Sequence, residues 1–544
     1  MKVLICSVYA AGGDDPFLSL LPVGVGSLVA VLRRSGVQAK AANLIGLTPA
    51  AIREVLIKER PAILGISVMT HNRHESLRLA ELAKTLNPDC FVVFGGPHAT
   101  HRYRQILESY SAVDTVVLGE GEETLRELAV CLDRGVRGDF HGINGIAFRD
   151  GDRVVVTGPR SPVTDLDLLP PPREGFVGGI NIDLRRQVEF LITSRGCPAA
   201  CTFCSSPNFW GRSLRFHSPR AMVDEIRTIR DRYGLIYFSI RDDTFTADRK
   251  RVMEFCRLLL EDRLFILWNC QSRVTAVDEE MLLWMRRAGC ECIQYGVESG
   301  SPTLLAILGK RITPGQIIQA AEITRKIGIR LSVYLMTGVP GETELELKET
   351  LRLLEAVKAD DGQVSPLAYY PGTALHVEAV RRGELREDLF EQSEEEALYA
   401  RHDPFVESAT KKMLGKIQSV AKKEVSRRRG ATSRSVSTYC CHADTITAGE
   451  LMADEGDLSG AEALYREIVR REPDNPWGWL LLGELLQEMG RRGEAVSAYR
   501  QLAELLPSHV PVWEALANLY GRSGERTEAR RCREQARRLL IDDF

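Results

Sequence analysis

Short apolar runs alternate with longer amphipathic segments over the first 140 residues. Runs of strand length, rich in β-branched residues, lie at residues 3–8, 39–44, 62–68, 91–94 and 115–118. Apolar positions at helical spacing separate them, and helices are expected to begin near Pro22, Pro49, His74, Arg102 and Glu122. Strands that alternate with helices pair in parallel through right-handed crossovers. The pattern therefore predicts a doubly wound α/β sheet.

Five such strands predict a flavodoxin-like (Rossmann-like) domain over residues 1–140. Ligands of these sheets bind beyond the carboxyl ends of the strands, which here means the loops at 67–71, 95–98 and 119–123. Residues 141–185 contain Gly, Asp and Pro clusters without helical periodicity. We interpret this second segment as a linker.

A second alternation of strands and helices follows the linker. Strand candidates lie at 188–194, 235–240, 265–272, 292–298, 329–337 and 363–369. A complete eight-unit barrel usually needs roughly 250 residues, and six β/α units fit the shorter span here. The sequence predicts an open, partial (β/α)6 TIM barrel over residues 186–375.

The remaining chain is predicted to be helical. Residues 376–441 are interpreted as a charged helical linker, in which residues 411–425 place apolar side chains on one face and lysines on the other. The favoured interpretation of this basic helix is packing against the protein, and contact with a membrane surface is the alternative.

The last hundred residues contain an internal repeat of 34 residues. Small residues recur at this spacing, as do a proline and a tryptophan, at Ala461, Ala495 and Ala529, Gly456, Gly490 and Gly524, Pro473 and Pro507, and Trp479 and Trp513. The pattern resembles the tetratricopeptide repeat, and it implies an all-α array of three units over residues 442–544. Such arrays usually bind a peptide or a partner protein; a dimerising or stabilising role is the alternative. We expect the array to be separable from the barrel.

Composition narrows the class of protein. The chain has 544 residues, enough for three to four domains, with 44% apolar and 27% charged residues, which excludes predominant disorder. The net charge of −3 gives no reason to expect a nucleic-acid partner. Because no apolar stretch reaches membrane-spanning length and the 13 cysteines are dispersed, we expect a cytoplasmic protein without a transmembrane segment.

Three cysteines stand close together directly after the first barrel strand. Cys197, Cys201 and Cys204 form a C-x3-C-x2-C pattern. Three thiolates on a four-iron cluster leave one iron open to a ligand, whereas an electron-carrying cluster normally has four protein ligands. The alternative is a zinc site completed by a distant His or Cys.

The cysteine spacing and its position resemble the radical S-adenosylmethionine superfamily. The resemblance implies a [4Fe-4S] cluster on the three cysteines and S-adenosylmethionine bound at its open iron. It implies contacts to this cofactor from Phe203, Asp242, Asp243, Ser272, Arg273, Glu298, Gly338 and Gly341. The acidic motif for the amino group is Asp242-Asp243 rather than Gly-Gly-Glu, so the choice between the two stays open. Capping or ion-pair roles are the alternative for each charged residue.

The preceding α/β domain resembles the one in the cobalamin-binding subfamily. Matching phrases are Pro22-Val23-Gly24-Val25-Gly26, Phe94-Gly95-Gly96-Pro97-His98 and Gly119-Glu120-Gly121-Glu122. The resemblance implies cobalamin contacts from Ser67, Thr70, Gly95, Gly96, Gly119 and Glu120. The loop after the first strand lacks the Asp-x-His-x-x-Gly of cobalt-ligating domains, so no protein His ligand to cobalt is expected. A domain that binds no corrinoid is the alternative.

Together these resemblances imply a cobalamin-dependent radical enzyme. The favoured activity is methyl transfer to an unactivated carbon through a 5'-deoxyadenosyl radical and methylcobalamin. Expected partners are a small-molecule or lipid substrate, a flavodoxin or ferredoxin as reductant, and a protein or peptide on the repeats. The alternatives are a radical oxidative cyclase or another non-methylating radical enzyme and, from a different class, a repeat scaffold with an inert barrel. A methylthiotransferase is disfavoured because Cys6, Cys90 and Cys131 are scattered.

Overall fold

The computed structural model describes residues 1–9, 19–392, 395–432 and 441–541, and its first sheet has seven strands. They are β1 (Lys2–Ser7), β2 (Gln38–Asn43), β3 (Ile63–Ser67), β4 (Phe91–Gly95), β5 (Thr115–Val117), β6 (Ile146–Asp150) and β7 (Arg153–Val156). The sheet order is β2-β1-β3-β4-β5-β6-β7, and β1 to β5 are parallel. The helices are α1 (Val23–Arg34), α2 (Pro49–Glu59), α3 (Arg73–Leu86), α4 (Pro97–Ser109) and α5 (Glu122–Asp133). The doubly wound fold class is confirmed.

The segment interpreted as a linker is more ordered than the sequence suggested. Strands β6 and β7 form a hairpin that pairs antiparallel with β5 and extends the sheet. Two short helices follow, α6 (Pro172–Phe176) and α7 (Leu184–Val188). Ile146 and Phe148 are buried, so this hairpin belongs to the domain core and the linker interpretation is wrong there. Helix α4 also begins earlier than expected, at Pro97, with a kink at Arg102.

The second domain is an open barrel. Its strands are β8 (Phe190–Leu191), β9 (Ser194–Arg195), β10 (Arg215–Phe216), β11 (Tyr237–Ile240), β12 (Leu267–Ser272), β13 (Cys290–Glu298), β14 (Arg330–Thr337) and β15 (Asp361–Pro366). Six of them form a parallel sheet in the order β15-β14-β13-β12-β11-β8, while β9 and β10 form a separate antiparallel pair. The helices are α8 (Ser206–Trp210), α9 (Pro219–Tyr233), α10 (Arg249–Glu261), α11 (Glu279–Arg287), α12 (Pro302–Ile307), α13 (Pro314–Ile327) and α14 (Glu344–Val357). The predicted six-unit barrel is confirmed.

Two helices follow the barrel, α15 (Ala374–Arg381) and the long α16 (Pro404–Thr432). The basic helix of the sequence lies within α16, where Met413 and Ile417 are buried against the barrel. Lys412 and Lys416 reach Glu344 and Glu355 of α14, at 3.0 and 2.6 Å between nitrogen and oxygen. The apolar face is thus covered by protein. Within the described ranges no helix is both long and apolar enough to cross a membrane.

The C-terminal array consists of antiparallel helix pairs. Its helices are α17 (His442–Asp454), α18 (Leu458–Arg471), α19 (Pro476–Glu488), α20 (Arg492–Leu505), α21 (Val510–Arg522) and α22 (Arg526–Ile541). A Cβ atom on Gly449 would lie 2.3 Å from the ring of Tyr465, and one on Gly483 would lie 2.6 Å from the ring of Tyr499. Small residues therefore face large ones across each pair, as the 34-residue period predicts.

The array docks on the barrel instead of standing apart from it. Ile236 and Leu267, at the amino ends of β11 and β12, belong to the hydrophobic core of the array. Arg286 of α11 is 2% exposed and pairs with Asp444 of α17, at 2.7 Å between Nε and Oδ1. The array is therefore not structurally separate from the barrel, and survival of S-adenosylmethionine cleavage after its removal stays a prediction. The contact lies at the amino ends of the strands, the edge of the barrel opposite the cysteines.

Candidate active site

The three cysteines lie in a loop between β9 and α8 whose shape depends on glycine. Gly196 has φ +95°, and a Cβ atom there would lie 2.3 Å from the carbonyl oxygen of Ser213. Thr202 anchors the loop to the end of α12 by donating from its backbone N–H to the Leu308 carbonyl at 3.0 Å. Cys197, Cys201 and Cys204 line one cavity of about 180 Å³ as a result.

The surroundings of the thiols fit a cluster better than a single ion. Burial raises the pKa of the Cys204 thiol to about 11. Arg273 approaches Cys201, at 3.6 Å between Nη1 and Sγ. Among the residues that the structure describes, no three His, Cys, Asp or Glu side chains converge on one metal position. The described lining of the cavity contains three thiols and neither a His nor a fourth Cys, so the donor set fits a cluster with one open iron.

Five of the predicted S-adenosylmethionine residues line the same cavity: Phe203, Asp243, Ser272, Arg273 and Glu298. They come from the cysteine loop and from the carboxyl ends of β11, β12 and β13. The parallel sheet therefore brings together side chains that are up to 95 positions apart in the chain.

Asp242 and Asp243 point in different directions. Asp242 is 1% exposed, and its carboxylate accepts hydrogen bonds from the backbone N–H groups of Thr193 and Ser194 at 2.5 and 3.0 Å. Its Oδ2 also accepts from the Thr193 hydroxyl at 2.6 Å. Asp243 lines the cavity and accepts a hydrogen bond from Ser206, and burial raises its pKa. The candidacy of Asp242 is corrected: its carboxylate secures the strand that leads to the cysteines.

Gly338 and Gly341 do not line the cavity. They follow β14 with φ +72° and +84°, and a Cβ atom on Gly338 would lie 3.3 Å from Val406 of α16. The Gly338 N–H donates to Glu342 at 2.6 Å. This turn packs between the barrel and α16, so the structure places both glycines behind the wall of the cavity.

Sequence reasoning missed several residues that line the cavity: Thr244, Gln271, Gln294, Lys310 and Tyr334. Lys310 bonds to Glu298 at 2.6 Å, with both side chains buried. The pair depends on Gly296, since a Cβ atom there would lie 2.8 Å from both Glu298 Oε1 and Lys310 Nζ. Gln271 and Gln294 could have been found from strand alternation, but Lys310 comes from the loop before α13 and carries no local signal.

A second cavity, of about 380 Å³, lies at the carboxyl ends of β1, β3, β4 and β5. Its walls include Ser67, Gly95, Gly96, Gly119 and Glu120 from the first domain, and Ile192, Phe209 and Trp210 from the barrel. A Cβ atom on Gly96, where φ is +94°, would lie 2.9 Å from the Val68 carbonyl oxygen. Glycine backbone thus opens a largely apolar slot, which fits the nucleotide tail of a corrinoid.

Two predicted cobalamin residues are otherwise engaged. Thr70 lies outside the slot, buried, with its hydroxyl 3.2 Å from Nδ1 of His98. The Glu120 carboxylate pairs with Arg195 at 2.8 Å and with Arg215 at 2.5 Å. Because two guanidinium groups already hold it, only the remainder of Glu120 faces a ligand. Thr70 is therefore corrected from a slot residue to a partner of His98.

Four buried charges join the two domains beside the slot, and we call Glu120, Glu122, Arg195 and Arg215 the charge brace. Arg195 also pairs with Glu122 at 2.5 Å, and the Trp210 ring lies 5.1 Å from its guanidinium carbon. Arg195 stands two residues before Cys197, and the two glutamates lie in the loop before and at the start of α5. The brace therefore ties the cysteine loop to a wall of the slot.

The loop that bears on cobalt ligation falls on residues 10–18, outside the described ranges. His98 is buried at the start of α4, where burial and the nearby Arg73 and Arg102 lower its pKa to about 3. It lines neither the slot nor the cysteine cavity. That cobalt has no protein His ligand stays a prediction.

The sequence matches three family descriptions. Residues 17–129 match the B12 binding domain, residues 191–354 match the Radical SAM superfamily, and residues 452–519 match the tetratricopeptide repeat. The first two matches cover the domains that hold the slot and the cysteine cavity.

Two relatives align with more than half of the chain. The chain is 33% identical to an uncharacterized methyltransferase of Pyrococcus horikoshii, over 60% of this chain and 72% of that protein. It is 32% identical to the anaerobic magnesium-protoporphyrin IX monomethyl ester cyclase of Rubrivivax gelatinosus, over 65% of each chain.

A solved structure extends the likeness in fold to almost the whole chain. The cobalamin-dependent S-adenosylmethionine radical enzyme OxsB, solved with aqua-cobalamin, superposes with a TM-score of 0.62 at 17% identity, over 99% of this chain and 84% of that one. The chain thus belongs to the cobalamin-binding radical S-adenosylmethionine enzymes, whose cofactors are a [4Fe-4S] cluster, S-adenosylmethionine and cobalamin, and it also carries a tetratricopeptide array.

Proposed function

We propose that this enzyme transfers a methyl group to an unactivated carbon of its substrate. The observation that carries the proposal is that three neighbouring cavities share lining residues. A chamber of about 490 Å³ between the two domains shares Gln294 and Tyr334 with the cysteine cavity, and it shares Pro22, Val23 and Met69 with the glycine slot. A substrate in this chamber can reach both cofactors.

Different residues of the cysteine cavity bind the cluster and S-adenosylmethionine. Cys197, Cys201 and Cys204 hold the cluster, and Asp243 binds the amino group of S-adenosylmethionine. Arg273 and the Glu298–Lys310 pair supply donors and an acceptor to the polar parts of that cofactor. When bound, these cofactors supply a carbon radical for hydrogen abstraction. The barrel walls orient the substrate and exclude water from the reacting carbon.

The first domain presents the corrinoid. Glycines at 95, 96 and 119 let the backbone approach the nucleotide tail, and Ser67 offers a hydroxyl. Bound cobalamin supplies the methyl group. The Trp210 ring and Ile192, both from the barrel, close the slot from the other side, so the position of the tail depends on the cysteine loop.

The names of the relatives support methyl transfer and leave one rival. The Pyrococcus protein is named an uncharacterized methyltransferase, and the Rubrivivax protein, at similar identity, is named a cyclase. The oxidative cyclase is therefore the second candidate. An inert barrel is not supported, because the three cysteines, Asp243 and Glu298 meet in one cavity.

Partners and location form a coarser part of the proposal. We propose a flavodoxin or ferredoxin as the reductant, a peptide or protein on the array, and a cytoplasmic location. Helices α17 and α21 already face the barrel. The outer surface of the array is therefore the proposed partner site.

The mass of the product tests the function. The reduced protein, reconstituted with iron, sulfide and cobalamin, is incubated with S-adenosylmethionine carrying a CD3 group and with a metabolite extract of a strain that lacks the enzyme. We expect a product that gains CD3 in place of hydrogen, together with 5'-deoxyadenosine. A product that loses two hydrogens without label would support the cyclase instead, and protein that binds no cobalamin would contradict methyl transfer and favour the non-methylating rival.

The two neighbouring aspartates should separate cofactor binding from stability. Asp243→Asn removes a charged partner of the cofactor amine, and it should weaken binding of S-adenosylmethionine roughly 10-fold or more. Asp242→Asn should instead lower the melting temperature, because the carboxylate that accepts from Thr193 and Ser194 is lost. Equilibrium binding and thermal unfolding check this, with the exposed Asp224→Asn as control. Equal effects of the two variants on binding would contradict the assignment.

A further inference from the structure

The chamber between the domains has two unlike walls. The first domain contributes the apolar side chains of Leu20, Leu21, Pro22, Ile45 and Met69, together with the polar side chains of Ser7, Tyr9 and His71. The barrel contributes polar ones, Arg241, Gln294, Tyr334 and Gln363. A corrin held by the first domain would lie on that side of the chamber, which would leave the barrel side chains for the substrate.

The polar wall lies where the reacting carbon must be. Gln294 and Tyr334 border both the chamber and the cysteine cavity. They belong to a hydrogen-bonded row across four barrel strands. Gln271 donates to Tyr334 at 3.4 Å, Tyr334 donates to Gln294 at 2.9 Å, and Arg241 donates to the same Gln294 oxygen at 3.2 Å. A substrate carbon that reaches both cofactors therefore lies against this row.

Arg241 gives this wall its charge. It follows β11 directly, and its guanidinium carbon lies 5.5 Å from the centre of the Phe190 ring, which also lines the chamber. Among the described residues that line the chamber there is no Asp or Glu. Glu189 lies near Arg241 but outside the lining. Burial raises the pKa of its carboxyl, although Arg186 and Arg241 oppose that rise. The described lining thus offers one permanent cation, Arg241, together with His71 from the first domain and neutral amides.

We infer that the substrate carries a carboxylate, bound by Arg241 and the neighbouring amides, with an apolar portion beside it. The inference rests on the proposed function and names the substrate class for that site. A guanidinium presents paired N–H donors that match a carboxylate in a planar, bidentate arrangement. On the barrel wall, one arginine with two glutamines balances a single negative charge, whereas a phosphate dianion would leave one charge without a permanent cation. Arg241 is a specificity-determining residue on this account.

Matched probes test the inference without turnover. Octanoate, octanamide and octyl phosphate are titrated calorimetrically into the full chain loaded with cobalamin. Octanoate should bind at least about 10-fold more tightly than octanamide, a difference of about 1.4 kcal/mol, and more tightly than octyl phosphate. Arg241→Gln should remove the preference for the acid over the amide, and Arg241→Lys should retain part of it. Arg78→Gln, on a side chain that is 77% exposed, should change nothing.

Each contrary result has a definite meaning. Equal binding of acid and amide, or binding of neither by the wild type, overturns the inference, and tighter binding of octyl phosphate overturns the carboxylate assignment. If Arg241→Gln loses cobalamin while the loaded fraction keeps its preference for octanoate, the arginine serves the corrinoid and the inference fails. A wild-type chain that does not load cobalamin overturns the proposed function itself, and the inference with it.

Discussion

Cys201→Ala is expected to lose the cluster and all cleavage of S-adenosylmethionine. Cys201 lines the cysteine cavity with Cys197 and Cys204, and the described residues offer no other thiol there. Two thiolates do not retain a four-iron cluster of this type. After anaerobic reconstitution, the wild type should hold about four irons per chain and the variant less than about one. Iron analysis and 5'-deoxyadenosine formation measure the two losses.

The control for this variant is another cysteine of the same chain. Cys131→Ser changes a half-buried thiol of α5 in the first domain, and iron content and cleavage should both be retained. Normal cleavage by Cys201→Ala would contradict the cluster assignment. Loss of iron in Cys131→Ser would show that reconstitution reports on folding and not on ligation.

Removal of the array is expected to destabilise the barrel. Deleting residues 442–544 exposes Ile236 and Leu267 and takes Asp444 away from the buried Arg286. The single variant Asp444→Ala isolates the second effect. An uncompensated buried charge costs about 3 kcal/mol, and Thr447 and the Ala443 carbonyl, which also accept from Arg286, offset only part of that cost. We expect a clear fall in the temperature at which the barrel unfolds.

A surface pair of the same interface provides the matched control. Arg263 of the barrel pairs with Asp474 of the array at 2.5 Å, with both side chains about half exposed. Asp474→Ala should cost less than about 1 kcal/mol, because solvent screens the pair. Thermal unfolding of the full chain, followed by circular dichroism, compares the two variants. Equal melting temperatures for Asp444→Ala and the wild type would show that the array is an appendage after all.

Local patterns were sufficient to predict the fold class and the cysteine cavity. The two α/β alternations and the 34-residue period each reflect a repeated local rule of burial, and the cysteines are neighbours in the chain. The β6–β7 hairpin was missed although the sequence contains its Asp150-Gly151 turn between the apolar residues Ile146 and Phe148 and the run 154–156 of three valines. Its antiparallel pairing departs from the parallel pattern that precedes it.

The remaining errors concern side chains whose role depends on tertiary partners. Asp242 and Asp243 are adjacent acids, and only the packing of Thr193 against β11 decides which carboxylate accepts hydrogen bonds from backbone N–H groups. Lys310 reaches Glu298 from a separate loop, and Thr70 turns toward His98 instead of the slot. The docking of the array on Arg286 depends on how two preformed surfaces fit, which no periodicity encodes.

The charge brace also sets a rule for engineering this enzyme by recombination. A chimera that exchanges the first domain for that of a relative would keep Arg195 and Arg215 but could lose Glu120 and Glu122. Without the carboxylates, the two buried guanidinium groups would repel each other at the junction of the two domains, beside Cys197. The four charged residues therefore depend on one another across two domains. A chimera that keeps activity must transfer all four together or replace all four.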